Sequence, residues 1–302
     1  MSSSNFKSAK SLSITMLTPV SFASLNGGDK EAANISSIKK LTRGNKDFPY
    51  VSAQALRRAL RDQLGTMGHK LSEGQAATIK KGAATTQQDP VNYIDDDLFG
   101  FMKAEEGEEG GKGGTNKRTS PVRVSPLLAL EPYEGNLDFG TNYMSVKSGG
   151  DPNIFETEIH GGIYRGTILI ELDRVGIDEA LSPKWKIDNK QKESRVLALL
   201  TVIQNLWTSG RSSRFLADLS PKFVAAALTK VKIPLFLEGV RNLDGGIDPK
   251  PLQETVQDHR DILLDHVFGA RSGLFATVPE GTTTMGEAFE KMKSWVTAYF
   301  GE

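Results

Sequence analysis

The sequence predicts an α+β fold in which two amphipathic helices alternate with strands, and three observations carry that prediction. Residues 11–17 alternate polar and apolar, with Leu12, Ile14 and Met16 on one side, the period of a strand with one buried face. Leu56, Leu60 and Leu64 recur at helical spacing, as do Val196, Leu199, Leu200, Ile203 and Leu206. Residues 155–172 and 223–231 are rich in strand formers, and Ile168, Ile170 and Leu172 face one way.

Taken in order, the first strand ends at Pro19, and Asn26, Gly27, Gly28 and Asp29 read as a loop. A basic loop follows with Lys39, Lys40, Arg43 and Lys46 against one acid, Asp47. Pro49 keeps the preceding residue extended. Ser52 is a fitting N-cap for the first helix, and Gly65 a fitting terminator. The leucines form one stripe of this helix, and Arg57, Arg58 and Arg61 lie on the adjoining arc. Guanidinium is planar, always charged and matched to phosphate oxygens. Gln54 sits in the same helix's first turn.

Residues 66–120 read as an insertion, poor in large apolar side chains, with mobility expected over 105–118. Within it Asp95, Asp96, Asp97, Leu98, Phe99, Gly100, Phe101 and Met102 form an acidic-aromatic island. Three aspartates have the oxygen chemistry of a divalent-cation site. The reading preferred is a polar cap on a docking segment, and no metal is expected. Residues 122–130, broken by Pro126, and 136–147 read as strands, and Gly161 and Gly162 mark a bend in the long strand 155–172. The second helix spans 190–207. It ends in a turn, residues 208–214, where Arg211 and Arg214 stand among serines between Trp207 and Phe215. Hydroxyls, backbone N–H groups and guanidiniums together suit a sugar-phosphate chain. Residues 233–237 extend the next strand, 242–251 form a linker, and 252–268 and 284–299 read as helices of a C-terminal extension over 240–302. Without the insertion the order is βαββαβ, the ferredoxin-like plan that RNA-recognition modules use. No aromatic stacking pair falls on a predicted strand, so an RNA would be held by its backbone rather than read base by base.

The 302 residues are expected to form a single domain. With no cysteine there is neither a disulfide framework nor a thiolate metal site. No long apolar run or secretory signal is present, so a cytoplasmic protein that does not enter membranes is expected. The net charge is zero, but residues 1–81 hold thirteen Lys or Arg against five Asp or Glu. That asymmetry fits contact with a polyanion through one surface.

Catalytic signals are weak. His259 and His266 are seven apart, without the four-residue spacing of a helical zinc site. Ser36 to Lys39 fits Ser-x-x-Lys with no partner motif, and 107–112 lacks the Ser or Thr of a phosphate loop. No catalytic residue, metal or cofactor is expected. Asp29 is the one acid placed to assist phosphodiester cleavage, should the chain be an enzyme.

The strand, the Gly28-Asp29 loop, Arg43, Gly44 and the run Pro49 to Arg58 together resemble the DevR-type autoregulator family. In that family the chain is the backbone subunit of type I CRISPR effector complexes, and this sequence is most like the I-B branch. The island Asp95 to Gly100 and the turn Gly210 to Ala217 agree, so the resemblance spans about residues 11–235. It implies a modified RNA-recognition fold whose copies stack along a CRISPR RNA beside other Cascade subunits. A target DNA strand then pairs with the exposed guide, and a thumb, here within 136–165 or 66–120, flips out bases. Carried over by position, Lys39, Lys40, Arg43, Gln54, Arg57, Arg58, Arg61, Arg211 and Arg214 are the expected RNA contacts. A type III-like RNA-cleaving subunit using Asp29 and a DNA-binding autorepressor are the alternatives.

Overall fold

Strand β1, Ser11–Ala23, runs through the middle of the molecule in the computed structural model. Residues 3–32, 35–72, 86–104, 115–142, 144–150, 153–178, 185–208 and 215–301 are described. After β1 come β2 (Gly27–Ala32), β3 (Ile35–Ile38), β4 (Lys40–Arg43), β5 (Lys46–Val51) and helix α1 (Ala53–Thr66). The insertion contributes α2 (Ile94–Phe99), β6 (Phe101–Ala104) and β7 (Thr115–Arg118). Next are β8 (Val122–Val124), β9 (Leu127–Ala129), β10 (Leu137–Asn142), α3 (Met144–Lys147), β11 (Asn153–Glu158) and β12 (His160–Glu171). Two short strands, β13 (Ile177–Asp178) and β14 (Trp185–Lys186), lead to α4 (Asn189–Gln204) and β15 (Phe223–Thr229). The chain ends with β16 (Asn242–Leu243), β17 (Gly246–Ile247), α5 (Pro249–Asp258), β18 (Leu263–Ala270), β19 (Thr283–Thr284) and α6 (Met285–Phe300).

The main sheet has the order β19–β18–β15–β1–β12–β9–β5–β4, with β8 also paired to β12. Because side chains alternate along a strand, β1 divides the core in two. Leu12, Ile14 and Met16 lie beside Ile170, Ile168 and Val224 and face α1, α4 and α6. Each such apolar side chain contributes roughly 1.5–3 kcal/mol on burial. The opposite face carries Ser11, Ser13, Thr15 and Leu17. Two of its buried hydroxyls pair across strands, Ser11 with Thr229 at 3.0 Å and Thr15 with Thr167 at 2.8 Å. Over its other half pack Phe236, Val240 and Leu252 from the segment after β15, meeting Leu17, Phe223 and Ala225. The sheet face on which an RNA-recognition module would stack bases is therefore largely covered by this chain's own C-terminal segment. A second sheet, β10–β11–β3–β2, stands apart from the first.

Several expectations change. Gly27–Ala32 is a strand rather than a loop, because it pairs with β3. The basic loop is a β4–β5 hairpin. Residues 233–237 form turns, not a strand extension. The first helix passes through Gly65 and caps at Met67, followed by Gly68 with φ +86°. The helix expected over 252–268 stops at Asp258, and residues 263–270 are strand β18, paired with β15. Leu263, Leu264, Val267 and Phe268 recur at helical spacing and do not alternate, so pairing with the neighbouring strand overrides the local pattern. The C-terminal extension is thus not purely helical, and His259 and His266 do not share a helix.

Candidate nucleic-acid interface

Gly44 and Asn45 both take left-handed φ, +56° and +62°. Two such residues make the tight turn whose twist matches a hairpin. It sets Arg43 opposite Lys46 at an exposed tip. Asp47, the one acid of the stretch, accepts from Thr42 Oγ1 at 2.7 Å. The root of the hairpin is clamped. Lys40 Nζ lies 2.6 Å from Glu158 and 4.5 Å from the Tyr133 ring centroid, so its charge is engaged internally. Lys39 is half-buried, with its N–H on Asn26 C=O and its own C=O accepting from Tyr50 N–H, both at 2.9 Å.

Ser52 caps α1 by accepting from Ala55 N–H at 3.3 Å, and its own N–H donates to Asn26 Oδ1 at 2.7 Å. Gln54 is exposed in the first turn, and Leu56, Leu60 and Leu64 are buried. The three arginines diverge. Arg58 is exposed and pairs with Asp62 at 2.8 Å, a surface contact worth at most about 1 kcal/mol. Arg57 donates to the Phe99 carbonyl. Burial first, and then neighbouring Arg61, lower its pKa. Arg61 lies 4.7 Å from the Phe99 ring centroid and 4.0 Å from Asp95. Two of the three guanidiniums therefore hold the acidic-aromatic island against α1.

That island is the docking segment its pattern predicts. Its aspartates are buried on α2. Asp97 receives Arg118 Nη2 at 2.5 Å, Arg195 Nη1 at 2.7 Å and the Gly176 N–H at 3.0 Å. Asp95 accepts from Ser72 N–H and Asp96 from Asp89 N–H, at 2.8 and 2.9 Å. Among the described residues no cluster of three His, Cys, Asp or Glu side chains is grouped to hold a metal ion. Arg118 and Arg195 carry this arrangement, and nothing in their sequence neighbourhoods marks them.

The second basic cluster, Arg211 and Arg214, lies outside the described residues, but its two ends do not. At one end Asn205 C=O accepts from Gln63 Nε2 of α1 at 3.0 Å, and Trp207 is exposed. At the other, Phe215 meets Phe22 edge-on, centroids 5.9 Å apart. Phe22 and Asn26 both belong to the C-terminal end of β1 and the turn after it, and Asn26 also anchors Lys39 and Ser52. The hairpin, the α1 N-terminus and the end of the arginine turn are thus tied to one end of β1. Asp29 falls on β2, where side chains lie outside the described residues. Sequence reasoning missed Arg123, Arg174 and Lys232, single charges far apart in the chain that strand pairing gathers around Glu171.

Known proteins place this architecture. A solved chain described as a CRISPR RNA-guided surveillance complex matches 94% of this chain and 98% of its own length, with TM-score 0.54 and 16% identity. Another, of such a complex in a pre-nicking state, matches 95% and 100%, with TM-score 0.58 and 12% identity. At these identities the likeness is one of fold. In sequence, a Myxococcus xanthus (strain DK1622) protein named CRISPR-associated protein Cas7/Cst2/DevR is 30% identical over 235 residues, 73% of this chain and 72% of that protein. The protein-family model described as CRISPR-associated negative auto-regulator DevR/Csa2 matches residues 14–248. Arg43, the α1 arginines, the acidic island and the arginine turn all fall inside that span, and the chain belongs to the DevR/Csa2 family of CRISPR-associated proteins.

Proposed function

We propose that this chain is a non-catalytic, cytoplasmic backbone subunit of a Cascade-type, I-B-like effector. Copies of it would line up along a guide RNA, beside other subunits, and present the guide to a target DNA strand. The observation that carries the reading is that the root of the β4–β5 hairpin, the α1 N-terminus and Phe215 are all tied to one end of β1, with Arg43 and Lys46 exposed at the hairpin tip, in a member of this family. The core supports it too. Taken in chain order, β1, β8–β9, β12 and β15 lie in the spatial order fourth, first, third, second. With α1 and α4 between them, that order supports a ferredoxin-like plan such as RNA-recognition modules use. Guide sequences vary, so contact through charge and shape is the appropriate mode.

Arg43→Ala with Lys46→Ala tests the reading, since both side chains stand at an exposed tip and the fold does not depend on them. Binding to unrelated single-stranded RNAs weakens alike, and the slope of log K against log salt becomes shallower by about 0.7 per charge removed. An unchanged slope refutes the hairpin's role. Incubating the complex with target RNA and magnesium yields no regularly spaced cleavage if the subunit only holds; cleavage lost in Asp29→Ala would make it a nuclease.

A further inference from the structure

Two concavities open on either side of β8, and Arg123 and Val124 line both. One, about 480 Å³, lies between Arg57, Phe99 and Ser120. The other, about 400 Å³, lies over the part of the sheet face left uncovered and is lined by Ser125, Thr167, Glu171 and Lys232. Arg123 and Val124 are the wall they share, and together the two make a trench around the sheet edge between Arg57 on one side and Glu171 and Lys232 on the other.

Charge around Glu171, in the wall of this trench, is out of balance. Glu171, buried at the end of β12, meets Arg123 Nε at 2.5 Å, Arg174 Nη1 at 3.0 Å and Lys232 Nζ at 3.3 Å. Lys232 also meets Asp173 at 2.8 Å, and Lys10 reaches Asp173 at 3.6 Å. Two carboxylates thus stand among four cations. Arg123 spends only Nε on Glu171, is exposed, and makes no other hydrogen bond among the described residues, so both its Nη groups remain as donors. Burial alone would raise the Glu171 carboxyl, but hydrogen bonds from Arg174 and Arg123 outweigh it and lower the pKa. The carboxylate holds the cations in place without cancelling them.

We infer that this trench is a second phosphate-binding track, in which Arg123 and Lys232 take phosphodiester groups of a nucleic-acid strand that passes from Arg57 across β8. The inference rests on the nucleic-acid-binding reading above and adds contacts that no motif marks. The strand is either the guide itself or the strand paired to it; both offer the same phosphodiester chemistry.

Lysine acetylation of the full-length wild-type protein, read by mass spectrometry, tests this without a variant that might misfold. Lys250, whose side chain is 80% exposed, is the internal reference. Lys232 is expected to lose reactivity several-fold relative to Lys250 when the protein is bound. Loss with single-stranded RNA alone assigns the guide, and loss only after complementary DNA is annealed assigns the paired strand. Unchanged Lys232 reactivity in both states overturns the track. If the Arg43/Lys46 variant still weakens binding in that case, the proposed function stands without it. If the wild-type protein binds no RNA at all, both fall. In parallel, Arg123→Gln makes the salt slope shallower by about 0.7, and an unchanged slope in a folded variant also overturns the track.

Discussion

Asp95 and Asp97 are two residues apart on one short helix and have opposite energetics. Asp97 is met by two guanidiniums and a backbone N–H, so its buried charge is compensated. Asp95 has the Ser72 N–H on one oxygen, while the other lies 4.0 Å from Arg61 without a hydrogen bond. Burial pushes the Asp95 carboxyl up, and the charge of Asp96 adds to that, against the Ser72 hydrogen bond and Arg61. A folded-state pKa raised above the unfolded value of about 3.9 means that stability is lost as pH rises from the unfolded pKa through the folded one. Asp95→Asn keeps an oxygen for Ser72 and removes the charge. It is expected to raise the urea midpoint at pH 7, with the gain shrinking as pH falls toward 4. A variant less stable than the parent at pH 7 would show that Arg61 compensates the charge after all. The sequence marked these aspartates as a docking cap, but not which was paired. The partners come from Arg118 and Arg195, brought there by other elements.

Among elements, the two glycines that shape the candidate surface differ in what surrounds them. Gly100 ends α2 with φ +65°, and an added Cβ would stand 2.2 Å from the Arg118 carbonyl oxygen and 2.8 Å from the Ser120 N. Gly44, at the hairpin tip with φ +56°, has nothing within 4 Å of such an atom. Gly44→Ala therefore costs only the backbone preference, about 1–2 kcal/mol. Gly100→Ala adds a clash with backbone that cannot swing away and costs several kcal/mol, as cases of strain plus overpacking do. Chemical denaturation of the two variants checks the order, and equal losses would mean that the α2–β7 junction yields easily. Elements were legible where one period dominated. The alternation in β1 and the leucine stripe of α1 needed no neighbour to be read. The hairpin carried its Gly44-Asn45 turn openly, yet its short basic strands lack an apolar alternation. Strand β18 carries apolar residues at helical spacing, which its pairing with β15 overrides.

For the whole molecule, the end of the family match at residue 248 is not a physical boundary. The chain beyond it closes both faces of the sheet. On one side α6 buries Phe289, Met292 and Trp295 in the same core as Leu12, Ile14 and Val196. On the other, Leu252 of α5 and Phe268 of β18 join Leu17 and Phe223. Strand β18 also supplies the neighbour on which the β15 ladder depends. A chain truncated after residue 248 would expose β15 as an apolar sheet edge, a template for pairing with other chains, and would lose the cover of buried side chains worth roughly 1.5–3 kcal/mol each. That loss exceeds the 5–15 kcal/mol by which a domain is ordinarily stable. The truncated chain is therefore expected to lose the single cooperative thermal transition of the full chain and to aggregate, rather than persist as a smaller folded unit. Calorimetry and light scattering on the two lengths decide this. A monomeric, cooperatively melting 1–248 fragment would show that the C-terminal elements are an accessory, and that the central sheet and the candidate surface at the end of β1 stand without them.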